Sequence, residues 1–110
     1  MRISMNVMDD SLVVALEGEL DHHTSEDARK DIDRQYYNNN LLNIILDLRN
    51  LSFMDSSGIG LIMGRYKNCK DEGGRVSIVS TNSNVNRILK MSGLLKLVDI
   101  YSNVDEAIRG

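Results

Sequence analysis

The chain has 110 residues, the size of a single domain with its own hydrophobic core. Because 42% of the residues are hydrophobic and 26% are charged, the composition is typical of a folded globular protein and argues against disorder. The formal net charge is −3, and the Lys and Arg residues are scattered along the chain. We therefore expect no DNA or RNA binding and no binding to an anionic membrane surface.

No segment approaches the ~20 consecutive apolar residues that a membrane-spanning helix needs. Residues 1–6 alternate between apolar and polar side chains and do not form the apolar core of a signal peptide, so we expect a cytoplasmic protein. The sequence contains one cysteine, Cys69, and so cannot form a disulfide within these residues. We interpret Cys69 as a small apolar core side chain, because nothing in its neighbourhood indicates a reactive thiolate.

The first predicted elements are two strands that form an antiparallel hairpin at the edge of a sheet. Residues 3–7 alternate between apolar and polar side chains, as in a half-buried strand. A turn signal over residues 9–11 separates them from a more continuously apolar strand over residues 12–16, which ends at Gly18.

A loop is predicted over residues 18–23, followed by a helix. Thr24 with Asp27 three residues later is a variant of the capping box, in which side chains bind the free N–H groups of the first helical turn. Large or small apolar side chains then recur every four residues, at Ala28, Ile32 and Tyr36. This spacing predicts a helix over residues 25–37.

The most apolar segment covers residues 41–48 and predicts a strand with both faces covered, as in a parallel sheet flanked by helices. After a short turn, a second helix is predicted, and Gly73-Gly74 ends it. Its buried face is expected to carry the apolar side chains at i, i+3, i+4 and i+7, which are Ile59, Ile62, Met63 and Tyr66.

The last part of the chain predicts a strand over residues 76–79, a short helix over 85–91, a strand within 94–100 and a terminal helical turn capped by Ser102. The element order is therefore β-β-α-β-α-β-α-β-α. This order predicts one α/β domain over residues 1–110, with a mixed, mainly parallel sheet of about five strands and flanking helices.

Two polar segments follow strands of this sheet, at residues 21–24 and 55–60. The carboxyl ends of parallel strands meet at the same edge of a sheet, where ligands and partners tend to bind. We therefore expect the two segments to be neighbours on one rim.

The segment Asp55-Ser56-Ser57-Gly58 lies where a strand is followed by a helix. Asp and Ser are preferred at helix N-termini because their oxygens accept the unpaired N–H groups of the first turn. A hydroxyl there lies at the positive end of the helix dipole, where a phosphate would be favoured. An ordinary N-cap turn would need only one such residue, and the two adjacent serines favour an exposed serine that is modified.

Two enzymatic or metal-binding alternatives are weaker. A serine hydrolase would need a base, and only His22 and His23 are available, while Ser56 lacks the G-x-S-x-G turn that exposes a nucleophile. A metal site is disfavoured because adjacent histidines in an extended loop usually point apart.

A receiver-like phosphotransfer protein is a third alternative. It would use Asp9-Asp10 as an acidic pair and Asp47 as the phosphoacceptor. A strand follows the acidic pair where a receiver would have a helix, and no lysine ends the last strand, so the pattern disfavours this class.

Four segments closely resemble the SpoIIAA type of the STAS domain family, the sporulation anti-sigma factor antagonists. They are Gly18-Glu19-Leu20-Asp21-His22-His23-Thr24, Leu51-Ser52-Phe53-Met54-Asp55-Ser56-Ser57-Gly58, Gly64-Arg65-Tyr66-Lys67 and Met91-Ser92-Gly93-Leu94. The Asp-Ser-Ser-Gly core is shared by STAS domains, whereas the Asp-His-His-Thr and Phe-Met blocks indicate the sporulation members. The resemblance covers essentially the whole chain.

The resemblance implies an anti-anti-sigma factor of an endospore-forming bacterium, which is not an enzyme and uses no cofactor or metal. Its unphosphorylated form would bind an anti-sigma factor that is also an ATP-dependent serine kinase carrying ADP or ATP, and would free the sigma factor. Phosphorylation would end this binding until a serine phosphatase reverses it. By position in the motif, the phosphoacceptor is Ser56. The implied partner-binding residues are Asp21, His22, Thr24, Asp55, Ser57, Gly58 and Ile59.

Overall fold

A five-stranded sheet with the order β1-β2-β3-β4-β5 organises the molecule, which a computed structural model describes over all residues 1–110. The strands are β1 (Arg2–Met8), β2 (Ser11–Leu20), β3 (Asn43–Met54), β4 (Val76–Val79) and β5 (Asp99–Tyr101). The helices are α1 (Ser25–Asn38), α2 (Ser56–Asp71), α3 (Ser83–Met91) and α4 (Val104–Arg109), with a 3₁₀ turn at Leu94–Lys96. Strands β1 and β2 are antiparallel, and the other neighbouring pairs are parallel. The predicted mixed, mainly parallel α/β domain is confirmed.

The N-terminal hairpin places β1 at the edge of the sheet, as predicted. Met8 pairs with Ser11, so Asp9 and Asp10 alone form the turn. Asp9 has a φ of 53°, a left-handed conformation that Asp tolerates better than most side chains.

Two apolar clusters hold the helices against the two faces of the sheet. The larger cluster contains 22 buried residues from the strands, α1, α2, α3 and the 3₁₀ turn. The smaller cluster joins α4, through Ala107, to Val13, Ile45 and Val79 on the opposite face. Because successive side chains of a strand point to opposite faces, β3 contributes to both clusters and is apolar almost continuously from Ile44 to Leu48.

Strands β2 and β3 extend together beyond the rest of the sheet, which the sequence analysis did not predict. Strand β3 pairs with β4 only as far as Asp47, but it pairs with β2 up to the Leu20–Met54 pair. The turn expected after residue 48 is therefore strand up to Met54, and of the loop predicted over residues 18–23 the first three residues are strand. Only some residues of this extension are buried, among them Leu20, Leu51 and Met54, so it has no continuous apolar run for hydrophobic patterning to detect.

The buried face of α2 is rotated from the predicted one. Of the four residues expected to face the core, Ile62 is fully buried, and the other three are only partly buried, namely Ile59, Met63 and Tyr66. The buried side chains of α2 are those of Leu61, Ile62, Arg65 and Cys69.

The apolar pattern does not predict the buried face of α2 correctly because that face includes a charged side chain, Arg65. Arg65 is 5% exposed, and its Nε lies 2.9 Å from Asp33 Oδ1 on α1. Its Nη1 also donates a hydrogen bond to the carbonyl of Leu61, at 3.3 Å. A buried ion pair between two helices occupies a position that hydrophobic periodicity assigns to an apolar residue.

Two smaller expectations concern Cys69 and the last helix. Cys69 is fully buried, and burial raises the pKa of its thiol, which confirms it as a core side chain. The residue that caps α4 is Asn103 and not Ser102, because Asn103 Oδ1 accepts the Glu106 N–H at 2.9 Å.

Candidate functional site

The N-terminus of α2 presents a serine next to the residue that caps the helix. Asp55 is the N-cap, with an extended backbone, and its Oδ1 accepts the Ser57 N–H at 2.8 Å. Ser56 is the first residue of the helix and is exposed, whereas Ser57 is half-buried. Because the Asp55 side chain caps the helix, the cap does not need the Ser56 hydroxyl, which faces solvent. The predicted exposed serine is thus Ser56.

The loop between β2 and α1 is held by hydrogen bonds between Asp21 and Thr24. Asp21 Oδ1 accepts the N–H groups of His23, at 2.8 Å, and Thr24, at 3.1 Å. The Thr24 hydroxyl donates to the carbonyl of Glu19 at 2.8 Å and accepts the Asp21 N–H at 3.0 Å. The loop therefore has a defined shape before any partner binds.

The capping box predicted from Thr24 and Asp27 is wrong. Thr24 precedes α1, but its side chain makes no cap hydrogen bond, because the hydroxyl is already used within the loop.

The backbone N–H groups of Thr24 and His23 lower the pKa of Asp21, since they stabilise its charged form. Asp21 therefore adds a negative charge to this edge of the sheet.

The two segments lie side by side, as the sequence analysis expected. Leu20 and Met54 are paired in the sheet, and the Asp55 N–H donates to the carbonyl of Leu20 at 3.4 Å. We call the surface formed by residues 21–24 and 55–59 the rim. The exposed residues of the rim are His22, His23 and Ser56, and Asp21, Thr24, Asp55, Ser57 and Ile59 are half-buried.

Gly58 lies beneath the rim and does not face a partner, which corrects its predicted place in the binding surface. It is buried, and a Cβ at this position would overlap Met54 Cγ and lie 2.8 Å from Met54 Sδ. The same Cβ would lie 3.1 Å from Leu20 Cδ2. Only glycine lets α2 approach the ends of β2 and β3 this closely, and so Gly58 positions Ser56 from below.

A model of the STAS domain matches residues 2–107 of the chain. The chain belongs to the STAS domain family. It is 46% identical to the anti-sigma F factor antagonist of Paenibacillus polymyxa over 97 residues, which cover 88% of this chain and 83% of that protein.

Solved structures agree with this membership of the STAS family. The anti-sigma factor antagonist SpoIIAA in its unphosphorylated form is 31% identical, with a TM-score of 0.85 over 97% of this chain and 93% of that chain. The Bacillus cell fate determinant SpoIIAA in its phosphorylated form is also 31% identical, with a TM-score of 0.76 over 98% and 97% of the two chains.

The receiver-like alternative does not fit this STAS domain. Asp47 lies inside β3, where Arg49 binds both its oxygens, Nε at 2.9 Å from Oδ1 and Nη2 at 2.8 Å from Oδ2. Asp10 lies beside the start of β3, since its carbonyl accepts the N–H of Leu42, which immediately precedes that strand. The acidic residues that a receiver would gather at one site are thus held apart.

The two histidines are exposed and contact each other edge-on, with ring centroids 5.8 Å apart. No three His, Cys, Asp or Glu side chains come close enough together to share a metal ion.

None of the helices combines the length and the apolar character needed to cross a membrane.

One exposed apolar side chain close to the rim was missed in the sequence analysis. Phe53 is 48% exposed and lies at the end of β3, next to the Leu20–Met54 pair. The single Phe of the sequence, two residues before Asp55, is a signal for it, but the prediction of a turn in this segment gives no reason to expect an exposed strand residue.

Proposed function

We propose that this STAS domain is an anti-sigma F factor antagonist whose phosphoacceptor is Ser56. In the unphosphorylated state it binds an anti-sigma factor and thereby frees a sporulation sigma factor. That anti-sigma factor is also the ATP-dependent kinase, carrying ADP or ATP, that phosphorylates Ser56, and a serine phosphatase reverses the change. The chain acts in the cytoplasm as a regulatory binding module and not as an enzyme.

The observation that carries this proposal is the exposed hydroxyl of Ser56 at the start of a helix that Asp55 already caps. A kinase can reach such a hydroxyl, and its modification breaks no hydrogen bond of the cap. The sequence relatives support the class of partner, because two anti-sigma F factor antagonists are 46% and 36% identical to this chain over 97 and 85 residues.

The switch is electrostatic in this proposal. A phosphate adds about −1.5 to −2 charges at the rim. One added charge at ~5 Å from a partner group of the same sign is worth roughly 3 kcal/mol at an effective dielectric constant of ~20, before salt screening. Since 1.4 kcal/mol is tenfold in affinity, phosphorylation of Ser56 is sufficient to weaken binding by about a hundredfold.

The test is the intact mass of the chain after incubation with its cognate anti-sigma F factor and ATP. We expect the mass of one phosphate, mapped by peptide analysis to Ser56. Ser56→Ala should remove the label, and Ser57→Ala, the matched control, should keep it. Both variants should melt close to the wild type, because Asp55 makes the cap. A phosphate on Ser57 or elsewhere would contradict the proposal.

The role of Asp21 is tested by comparing two substitutions. Asp21→Asn keeps the oxygen that accepts the loop N–H groups and removes only the charge, whereas Asp21→Ala also removes the acceptor. If Asp21 faces a cationic group of the kinase, Asp21→Asn should weaken binding while the melting temperature stays the same. Unchanged affinity of Asp21→Asn would remove Asp21 from the partner-binding surface.

A further inference from the structure

An apolar groove of about 320 Å³ lies between α2 and the turn that follows α3. On one side it is lined by Ile59 and Met63 of α2, and on the other by Leu94 and Leu97. Lys96 is the charged residue at its edge. This lining is largely apolar, yet the groove is open to solvent, and Leu97 is 45% exposed.

The wall that faces α2 is a fixed turn built from the Met91-Ser92-Gly93-Leu94 block. The Ser92 hydroxyl donates to the carbonyl of Leu89 at 2.8 Å and accepts the Leu94 N–H at 3.2 Å. Gly93 has a φ of 80°, a left-handed conformation in which glycine is favoured. Leu94 is 2% exposed and anchors the turn in the core, so the groove is already formed without a ligand.

The groove lies on the same side of α2 as Ser56. Residues three and four positions apart on a helix lie on one face, which relates Ser56 to Ile59 and Ile59 to Met63. With a rise of 1.5 Å per residue, Met63 is only about 10 Å along the helix axis from Ser56. A protein that binds at Ser56 can therefore reach the groove without leaving this face of α2.

We propose that the groove is a second contact for the anti-sigma factor kinase, where one apolar side chain of the kinase inserts between α2 and the turn. This inference rests on the proposed function and extends the partner surface beyond the rim. The rim and the groove carry opposite charges, because Asp21 and Asp55 lie at the rim and Lys96 lies at the groove. The complementary kinase surface has a cation opposite the rim, and an apolar side chain with a neighbouring carboxylate opposite the groove.

The groove contact has a different role from Ser56. The end of the groove at Met63 lies about two helical turns from Ser56, so the added charge acts mainly at the rim and less at that end. The groove therefore contributes to recognition of the chain as a substrate as well as to the stable complex. Substitutions in the groove should raise the KM for phosphorylation of Ser56 and leave kcat unchanged.

The test compares four variants of the unphosphorylated chain for binding to the cognate anti-sigma F factor loaded with ADP. Met63→Gln and Leu97→Gln change the groove, and Met91→Gln is the matched control, because Met91 is 79% exposed and does not line it. We expect Kd to rise about tenfold for Met63→Gln and Leu97→Gln and to change less than about twofold for Met91→Gln. Lys96→Glu should also weaken binding, because it reverses the charge at the edge of the groove.

Two further measurements separate the possible outcomes. Thermal melting identifies any loss of fold, and Leu97→Gln keeps the test valid if Met63→Gln unfolds, since Leu97 is partly exposed. If the wild-type chain binds the kinase and both groove variants bind equally well, the groove contact is wrong and the proposed function stands. If the wild type neither binds nor is phosphorylated, the proposed function itself fails. A groove-dependent dimer of the chain alone, with unchanged kinase binding, would overturn the inference in favour of a second copy as the occupant.

Discussion

At the scale of single residues, the position of Ser56 depends on a glycine, which has no side chain to bind a partner. Gly58 lies against Met54 and Leu20, and both side chains are buried, so neither has open space to move into. The other glycines near the start of α2 differ, because a Cβ at Gly60 or Gly64 would have no neighbour within 4 Å. The small residue is therefore required at only one of these three positions.

This difference gives a paired prediction for Gly58→Ala and Gly60→Ala. Alanine is favoured over glycine in a helix by roughly 0.5–1 kcal/mol, so Gly60→Ala should stabilise the domain by about that amount. Overpacking of a closed core costs typically about 1–3 kcal/mol, so Gly58→Ala should be net destabilising by about 1–2 kcal/mol. Urea unfolding at neutral pH measures both values, and equal effects of the two substitutions would contradict the packing argument.

Local features of the site can be predicted from the sequence, whereas the packing of Gly58 cannot. The N-cap role of Asp55 and the exposure of Ser56 follow from local chemistry, because a cap involves only the next two or three residues. The burial of Gly58 depends on Met54 and Leu20, and the latter lies on another strand. Contacts of that kind have no local signature, which is why Gly58 was assigned to the binding surface.

At the scale of elements, β3 carries a buried carboxylate near the middle of the strand. Asp47 is 8% exposed, and burial alone would raise its pKa, but the hydrogen bonds and charge of Arg49 outweigh burial and lower it. A group with a lowered pKa stabilises the folded state above its unfolded pKa and loses that contribution as the pH falls through the folded pKa. The pair is therefore fully effective at neutral pH.

Arg49→Ala should remove the guanidinium from buried Asp47 and leave it only the backbone N–H of residue 49 as a partner. We expect a loss of about 1–2 kcal/mol at pH 7, below the value for a fully buried pair because Arg49 is 39% exposed. Without Arg49, burial raises the pKa of Asp47, so the difference between wild type and variant should shrink as the pH falls below about 4. Unfolding curves at pH 7 and pH 3 measure this change.

The control for this prediction is Arg34→Ala. Arg34 forms an exposed ion pair with Asp31 on α1, at 3.3 Å, and such pairs contribute little. Its removal should change the free energy of unfolding by less than about 0.5 kcal/mol. A pH-independent loss in Arg49→Ala would mean that the arginine acts through packing alone.

The order and type of the elements could be predicted, but their ends could not. Strand β3 is predicted over residues 41–48, and within that range residues 44–48 are all buried, with helices over both faces of the sheet. Its continuation to Met54 is stabilised by pairing with β2, and backbone pairing leaves no trace in the side-chain pattern. The same limit applies to α2, where the ion pair between Arg65 and Asp33 replaces an apolar contact.

At the scale of the whole molecule, the question is whether a phosphate on Ser56 changes the fold or only the surface. The free N–H groups at a helix N-terminus attract phosphate, but the Ser57 N–H is already bound by Asp55, and the Gly58 N–H donates to the Asp55 carbonyl. A phosphate would also lie close to the Asp55 carboxylate. The favourable helix dipole and the unfavourable neighbouring charge therefore oppose each other, and both are of order 1 kcal/mol in solvent.

We accordingly expect the phosphorylated chain to keep its fold, with a free energy of unfolding within about 1 kcal/mol of the unmodified chain. Changes in backbone amide NMR shifts should be confined to the rim, residues 21–24 and 55–59, and to the adjoining ends of β2 and β3. Phosphatase treatment should restore the original spectrum and serves as the control. Shift changes that reach β1 or α4 would show a rearrangement of the sheet, and the charge of the phosphate would then no longer suffice to explain the switch.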